Sequence, residues 1–139
     1  MSLRFLDTNV LLRYFTRDDE PKANRALALL LRIGRREEEV GTSLPVLFET
    51  AYTLQRFYRV PRVQIRDLLV EIVDLGGIHL PGKGLFRDAL NLYATRNISL
   101  ADAYSVVYMR NNGMNEIYSW DTDFDHFEDC TRIEPSPSP

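Results

Sequence analysis

Short strand-sized apolar runs alternate with longer stretches of helical period along this chain, and that alternation most limits its fold. The runs are "LRFL" (residues 3–6), "VGTSL" (40–44), residues 78–80 and "EIYSW" (116–120), with "RIE" (132–134) as an edge strand. Between them, "VLLRYF" (10–15) reads as a short helix. "RDDEPKANRALALLLRI" (17–33) has acids at its start, Pro21 in its first turn, and Arg32 and Gly34 near its end, as a helix requires. "PVLFETAYTLQRFY" (45–58) and "LFRDALNLYATR" (85–96) follow the same pattern. In "PRVQIRDLLVEIVDL" (61–75) Val63, Ile65, Leu68, Leu69, Ile72 and Val73 form one apolar stripe that stops at Gly76-Gly77. "SLADAYSVVYMRNNG" (99–113) runs from a capping box, Ser99 with Asp102, to a stop at Gly113. "DTDFDHF" (121–127) predicts a turn or short helix. Strands alternating with helices imply a parallel sheet flanked by helices, an α/β fold. Right-handed crossovers then align the carboxyl ends of the strands along one edge, where such sheets bind ligands.

Bulk composition narrows the class. The 139 residues suit one domain with one core, over residues 1–134, and "PSPSP" (135–139) is expected to be a disordered tail. A 45% hydrophobic and 27% charged content is that of an ordinary soluble protein. Apolar stretches such as "ALALLL" are too short to cross a bilayer, and "MSLRFLDTN" does not resemble a signal peptide, so a cytoplasmic, membrane-free protein is expected. Cys130 is the single cysteine, which suits a reducing compartment. The net charge of −3 argues against a globally basic polyanion binder. Of the 17 basic residues, however, only Lys22 and Lys83 are lysine. Arginine grips phosphate bidentately, although genomic codon bias explains the excess equally well.

The acids carry the chemistry. Asp7 directly follows the first strand, and Asp121 follows "EIYSW" in the same way. A helix cap is the ordinary explanation of the first, a turn-forming Asp that of the second. With Asp123 and Asp125, "DTDFD" packs three carboxylates into five positions, a crowding that raises their pKa values unless a cation or solvent relieves it. Asp102 lies on the first turn of its helix, so a capping role and a role at the sheet edge are compatible. Glu49 sits one turn into its helix between Leu47, Phe48 and Ala51, and alone it reads as a surface acid. Oxygen-only ligation selects Mg²⁺ or Mn²⁺. Zinc is disfavoured, because Cys130, His79 and His126 do not form a ligand set. No phosphate-binding glycine loop and no serine or cysteine triad is legible.

"LDTNVLL", "SLPVLFETAYTL", "LADAYSVVYMRNNG" and "IYSWDTDFDHF", in this order, resemble the PIN-domain nucleases, and among them the VapC-type toxins of toxin–antitoxin pairs. The resemblance runs from Leu3 to Ile133. It implies a parallel sheet of about five strands and a Mg²⁺-dependent (or Mn²⁺-dependent) endoribonuclease. It also implies a cognate antitoxin and a homodimer. Carried over by residue, it makes Asp7, Glu49, Asp102 and Asp121 catalytic, with Asp7, Asp102 and Asp121 holding the metal. Asn9, Ser119 and Asp123 are supporting residues, and Asp123 is expected to turn away from the pocket. Trp120 departs from the Phe common in the family, which touches shape and leaves the acids intact. The stretch "LFETAYTLQRFYRV" carries Phe48, Tyr52, Phe57 and Tyr58, more aromatics than one core face needs, which fits an interface.

Three rival readings stand beside this one. A phospho-accepting receiver domain needs paired acids at the first strand and a late Lys, and the chain has neither. A PIN nuclease of RNA maturation would act without an antitoxin. A non-catalytic PIN binding module would not need all four acids.

Overall fold

The computed structural model describes residues 3–138; Met1, Ser2 and Pro139, the last residue of the expected tail, lie outside the described residues. In chain order the elements are β1 (Arg4–Phe5), α1 (Thr8–Thr16), α2 (Glu20–Gly34), β2 (Val40–Gly41), α3 (Leu44–Tyr58) and α4 (Arg62–Val73). Then follow β3 (Ile78–His79), α5 (Lys83–Thr95), α6 (Leu100–Asn111), β4 (Glu116–Tyr118), a 3-10 turn (Thr122–His126) and β5 (Thr131–Ile133). The α/β class is as expected, and every expected helix is present.

The sheet is smaller than the sequence suggests. Parallel strands β1, β2 and β3 form one sheet in that order, with Arg4 opposite Val40 and Val40 opposite Ile78. Strands β4 and β5 form a second parallel pair, with Ile117 opposite Arg132. The five expected strands therefore exist, but as a three-stranded and a two-stranded piece among the described residues. Their brevity explains this: β1 gives way to the cap of α1 within two residues of Phe5, which leaves room for few rungs.

Helix starts are set by local chemistry. Asp19 caps α2, accepting from the Lys22 N–H at 3.1 Å, with Pro21 in the first turn. Ser99 caps α6, its hydroxyl accepting from the Asp102 N–H at 3.0 Å. The expected capping box is thus half realised, by the side chain of Ser99 and the backbone of Asp102.

The helices bury one continuous core, with Leu11, Ile33, Leu47, Leu54, Leu69, Phe86 and Leu90 almost fully covered. Along α4, Ile65, Leu69, Ile72 and Val73 face inward and Leu68 is half-buried. Val63, expected in the same stripe, is 49% exposed, because it lies in the first turn beyond the packed face. Gly77 serves a close approach. A Cβ there would stand 2.3 Å from the Glu38 carbonyl oxygen and 2.8 Å from that of Ile33, so the β2 and β3 segments can draw together only around glycine.

Candidate metal centre

Two of the predicted acids stand just past strand ends. Asp7 lies beyond β1 and Asp121 beyond β4, and each caps the helical segment that follows. The Asp7 carboxylate accepts from the backbone N–H of Asn9 at 3.4 Å. Asn9 therefore steadies Asp7 through its main chain. The carbonyl of Leu6, just before Asp7, accepts from the buried hydroxyl of Thr42 at 3.0 Å, which fastens the exit of β1 to β2.

Asp121 is built the same way. Its N–H donates to the Ser119 hydroxyl at 2.9 Å, and its carboxylate accepts from the Asp123 N–H at 2.9 Å. Ser119 is in turn tied to β5, its N–H donating to the Ile133 carbonyl and its carbonyl accepting from Arg132. This tight turn has a consequence that the sequence did not suggest. It curls Asp123 back, and carboxylate oxygens of Asp102, Asp121 and Asp123 all lie within 4.8 Å of one another. Asp102 and Asp123 are half-buried and Asp121 is exposed.

The other two predicted acids, Asp7 and Glu49, are not members of this group, and Glu49 is held by the residue next to Asp7. Thr8, buried beside Asp7, donates its hydroxyl to Glu49 Oε2 at 3.2 Å. Asp7 and Glu49 are themselves exposed. The exit of β1 and the second turn of α3 are thereby linked, while Asp102, Asp121 and Asp123 form the group in which the carboxylates themselves meet. Thr8 makes a contact with Glu49 that sequence reasoning missed; its place between Asp7 and Asn9 was the only signal.

The electrostatics of the three-acid group are those of like charges held together. Burial pushes the Asp102 carboxyl above the usual carboxylate range, its hydrogen bond with Ser99 draws it back, and the neighbouring Asp121 and Asp123 add to the rise. Among the described residues none of the three forms a salt bridge, whereas Asp125 in the same turn pairs with Arg132 at 3.0 Å. Three oxygen donors at close quarters without a protein cation are a donor set that fits Mg²⁺ or Mn²⁺. Both histidines are exposed; His79 lies 3.2 Å from Glu39, and His126 Nδ1 lies 3.1 Å from the Asp123 backbone carbonyl.

A second tie holds the acidic turn against α6. Arg110, near the end of α6, reaches Asp129 in a bidentate pair at 2.7 and 3.1 Å. The guanidinium groups of Arg110 and Arg96 lie 5.7 and 5.4 Å from the Phe127 ring, between Asp129 and the 3-10 turn. The helix that carries Asp102 is thus coupled to the segment that carries Asp121 and Asp123.

Comparison with known proteins gives the family. The family model of the PIN domain matches residues 4–129. A VapC ribonuclease of Aquifex aeolicus (strain VF5) is 24% identical over 118 residues, covering 85% of this chain and 87% of that protein.

Proposed function

The chain belongs to the PIN domain family, and from that premise we propose that it is a Mg²⁺- or Mn²⁺-dependent endoribonuclease, the toxin of a toxin–antitoxin pair. The observation that carries the reading is the meeting of Asp102, Asp121 and Asp123 without a protein cation among the described residues. Asp7, Asp102 and Asp121 would hold the metal, joined by Asp123. When bound there, the ion supplies Lewis acidity to a phosphate oxygen and lowers the pKa of a water molecule.

The chain's own part is orientation. The backbone of Asp102 is held by Ser99 on the first turn of α6 and that of Asp121 by Ser119, which fixes where their carboxylates begin. Glu49, steadied by Thr8, orients the attacking water. That water forms the new bond to phosphorus as the bond to the leaving sugar oxygen breaks, its proton passes to solvent, and the leaving oxygen takes one from solvent. The acids repel RNA phosphates, so neighbouring cations must supply the attraction.

Two features support protein partners. On α3 and the start of α4, Tyr52, Phe57, Tyr58 and Val63 are 61%, 69%, 44% and 49% exposed, an aromatic face suited to a homodimer or to an antitoxin segment. The relative of the same family bears the VapC name. No described helix is long and apolar enough to cross a membrane.

The test is cleavage of a panel of tRNA, rRNA and mRNA by the purified protein, with Mg²⁺ and with chelator. Metal-dependent internal cleavage that Asp102→Asn abolishes in a folded protein is expected. Absence of cleavage at any metal concentration would reject the reading and leave a binding module.

A further inference from the structure

A groove of about 670 Å³ runs between α1 and α2, lined by Arg13, Lys22, Arg25 and Arg32, with Asn9 at one end. No acid lines it. Val10 and Leu29, both half-buried, are part of its apolar surface. On α2, Lys22, Arg25 and Arg32 fall at i, i+3 and i+10, one face of the helix, and span about 15 Å along its axis.

What sets these four cations apart is that they share one groove, since others, among them Arg35, Arg36, Arg56 and Arg59, also lack a salt bridge among the described residues. Arg17, Arg66, Arg87, Arg110 and Arg132 are each ion-paired with an acid. In the groove, Arg13, Lys22 and Arg25 have no salt bridge among the described residues, and Arg32 reaches only Glu38, at 4.0 Å. Unpaired like charges along one groove repel one another, a cost that a bound polyanion reverses. From position and charge together we infer that this groove is the track on which a single RNA strand lays its phosphates on the way to the acidic site. The identity of the polyanion rests on the ribonuclease reading above.

Two observations favour a polynucleotide over an acidic protein segment. Asn9 lines the groove, and its backbone N–H is bonded to the Asp7 carboxylate, so a strand lying there is led to Asp7, one of the proposed metal-holding acids. The groove's apolar lining is small and aliphatic, and the exposed aromatics that protein interfaces favour, Tyr52 and Phe57, lie on α3 instead. A sugar–phosphate backbone offers a charge at every nucleotide, matched to cations strung along a helix, and arginine engages phosphate bidentately.

The experiment measures binding apart from cleavage. A fluorescein-labelled oligouridylate is titrated with protein in chelator at several salt concentrations, followed by anisotropy. Arg13→Gln/Arg25→Gln is compared with wild type and with Arg56→Gln/Arg66→Gln, which removes two cations from α3 and α4. Lys22→Gln/Arg25→Gln, confined to exposed positions of α2, serves if loss of Arg13 loosens α1. Each groove pair is expected to weaken binding about tenfold and to lower the salt slope by about 1.4, or ~0.7 per lost phosphate contact. The α3–α4 pair should stay within about twofold of wild type, since it removes no groove contact. Equal losses in all variants, or no loss in the groove variants, would overturn the inference. So would groove variants that lose labelled poly-L-glutamate but keep RNA. A protein that binds through the groove but never cleaves with Mg²⁺ rejects the ribonuclease reading alone. One that cleaves with unchanged KM in the groove variants rejects the groove alone.

Discussion

The buried hydroxyl of Thr8 donates to Glu49 across 41 positions of sequence, at 3.2 Å, and so ties the loop after β1 to α3. Glu49 is exposed and keeps its hydration, whereas Thr8 is 3% exposed and has Glu49 as its side-chain partner. Thr8→Val keeps the shape of the buried side chain and removes only the donor. Stability should fall by no more than about 1 kcal/mol, because the lost bond ends on a solvated acid. Cleavage should fall further than stability, through a lower kcat at unchanged KM, since Glu49 loses its fixed orientation. Thermal melting together with steady-state kinetics checks this, and wild-type kcat would remove Glu49's orientation from the mechanism.

Asp102, Asp121 and Asp123 repel one another when no cation is present, so relief of that repulsion is measurable without any substrate. Mn²⁺ or Mg²⁺ should raise the melting temperature, because a ligand that binds only the native state stabilises it. Asp102→Asn removes one charge from the group and should raise the metal-free melting temperature at neutral pH while abolishing the metal-induced rise. Differential scanning calorimetry with and without Mn²⁺ measures both. A metal-induced rise of unchanged size in Asp102→Asn would remove that residue from the ligand set.

The Arg110–Asp129 pair gives a pH dependence of known sign. The hydrogen bond from Arg110 holds the Asp129 carboxyl below its usual range. Its stabilisation is therefore fully present above the unfolded carboxylate value of about 3.9, and is lost as pH falls through the lowered folded value. Both side chains are about half exposed, so after solvent screening the contribution is below about 1 kcal/mol. Asp129→Asn should melt slightly below wild type at pH 7, and the gap should close as the solution becomes strongly acidic. Because the pair couples α6 to the acidic turn, Mg²⁺ affinity should fall as well. Calorimetry across a pH series, with a metal titration at pH 7, tests the two halves independently.

Helices were legible because their signals are local. The caps at Asp19 and Ser99, the proline in the first turn of α2 and the apolar period of α4 all act within a few residues. Strand partners were not legible. Strands of two or three residues carry no register of their own, and whether β4 pairs with β1 or only with β5 depends on packing between distant segments. Individual acids were visible as carboxylates after strands, but their grouping was not. Asp123 joins Asp102 through the closure of a 3-10 turn, and the Thr8–Glu49 link spans two helices. The groove had a sequence signal, the spacing of Lys22, Arg25 and Arg32, which gains meaning only once α1 is packed beside it.

Asp121 and Asp123 differ in one respect that a pair of substitutions can isolate. The Asp121 carboxylate does two things: it belongs to the acidic group, and it accepts from the Asp123 N–H, holding the turn that brings Asp123 back. The Asp123 carboxylate belongs to the group and has no hydrogen-bond partner among the described residues. Asparagine at 121 removes the charge but retains an oxygen that caps the turn, whereas alanine removes both. Asp121→Ala should therefore lose more cleavage and more Mg²⁺ affinity than Asp121→Asn, with an added stability loss of about 1 kcal/mol from the missing cap. At 123 the alanine and asparagine variants should behave alike, because only charge is at stake. Of the two asparagine variants, Asp121→Asn should be the more damaging, since the remaining neutral cap also holds Asp123 less firmly than a charged acceptor does. Single-turnover cleavage across a Mg²⁺ titration, run on all four variants, reads these differences directly. Equal losses for alanine and asparagine at 121 would show that the cap does not place Asp123, and a larger loss at 123 would make Asp123 the principal acid of the turn.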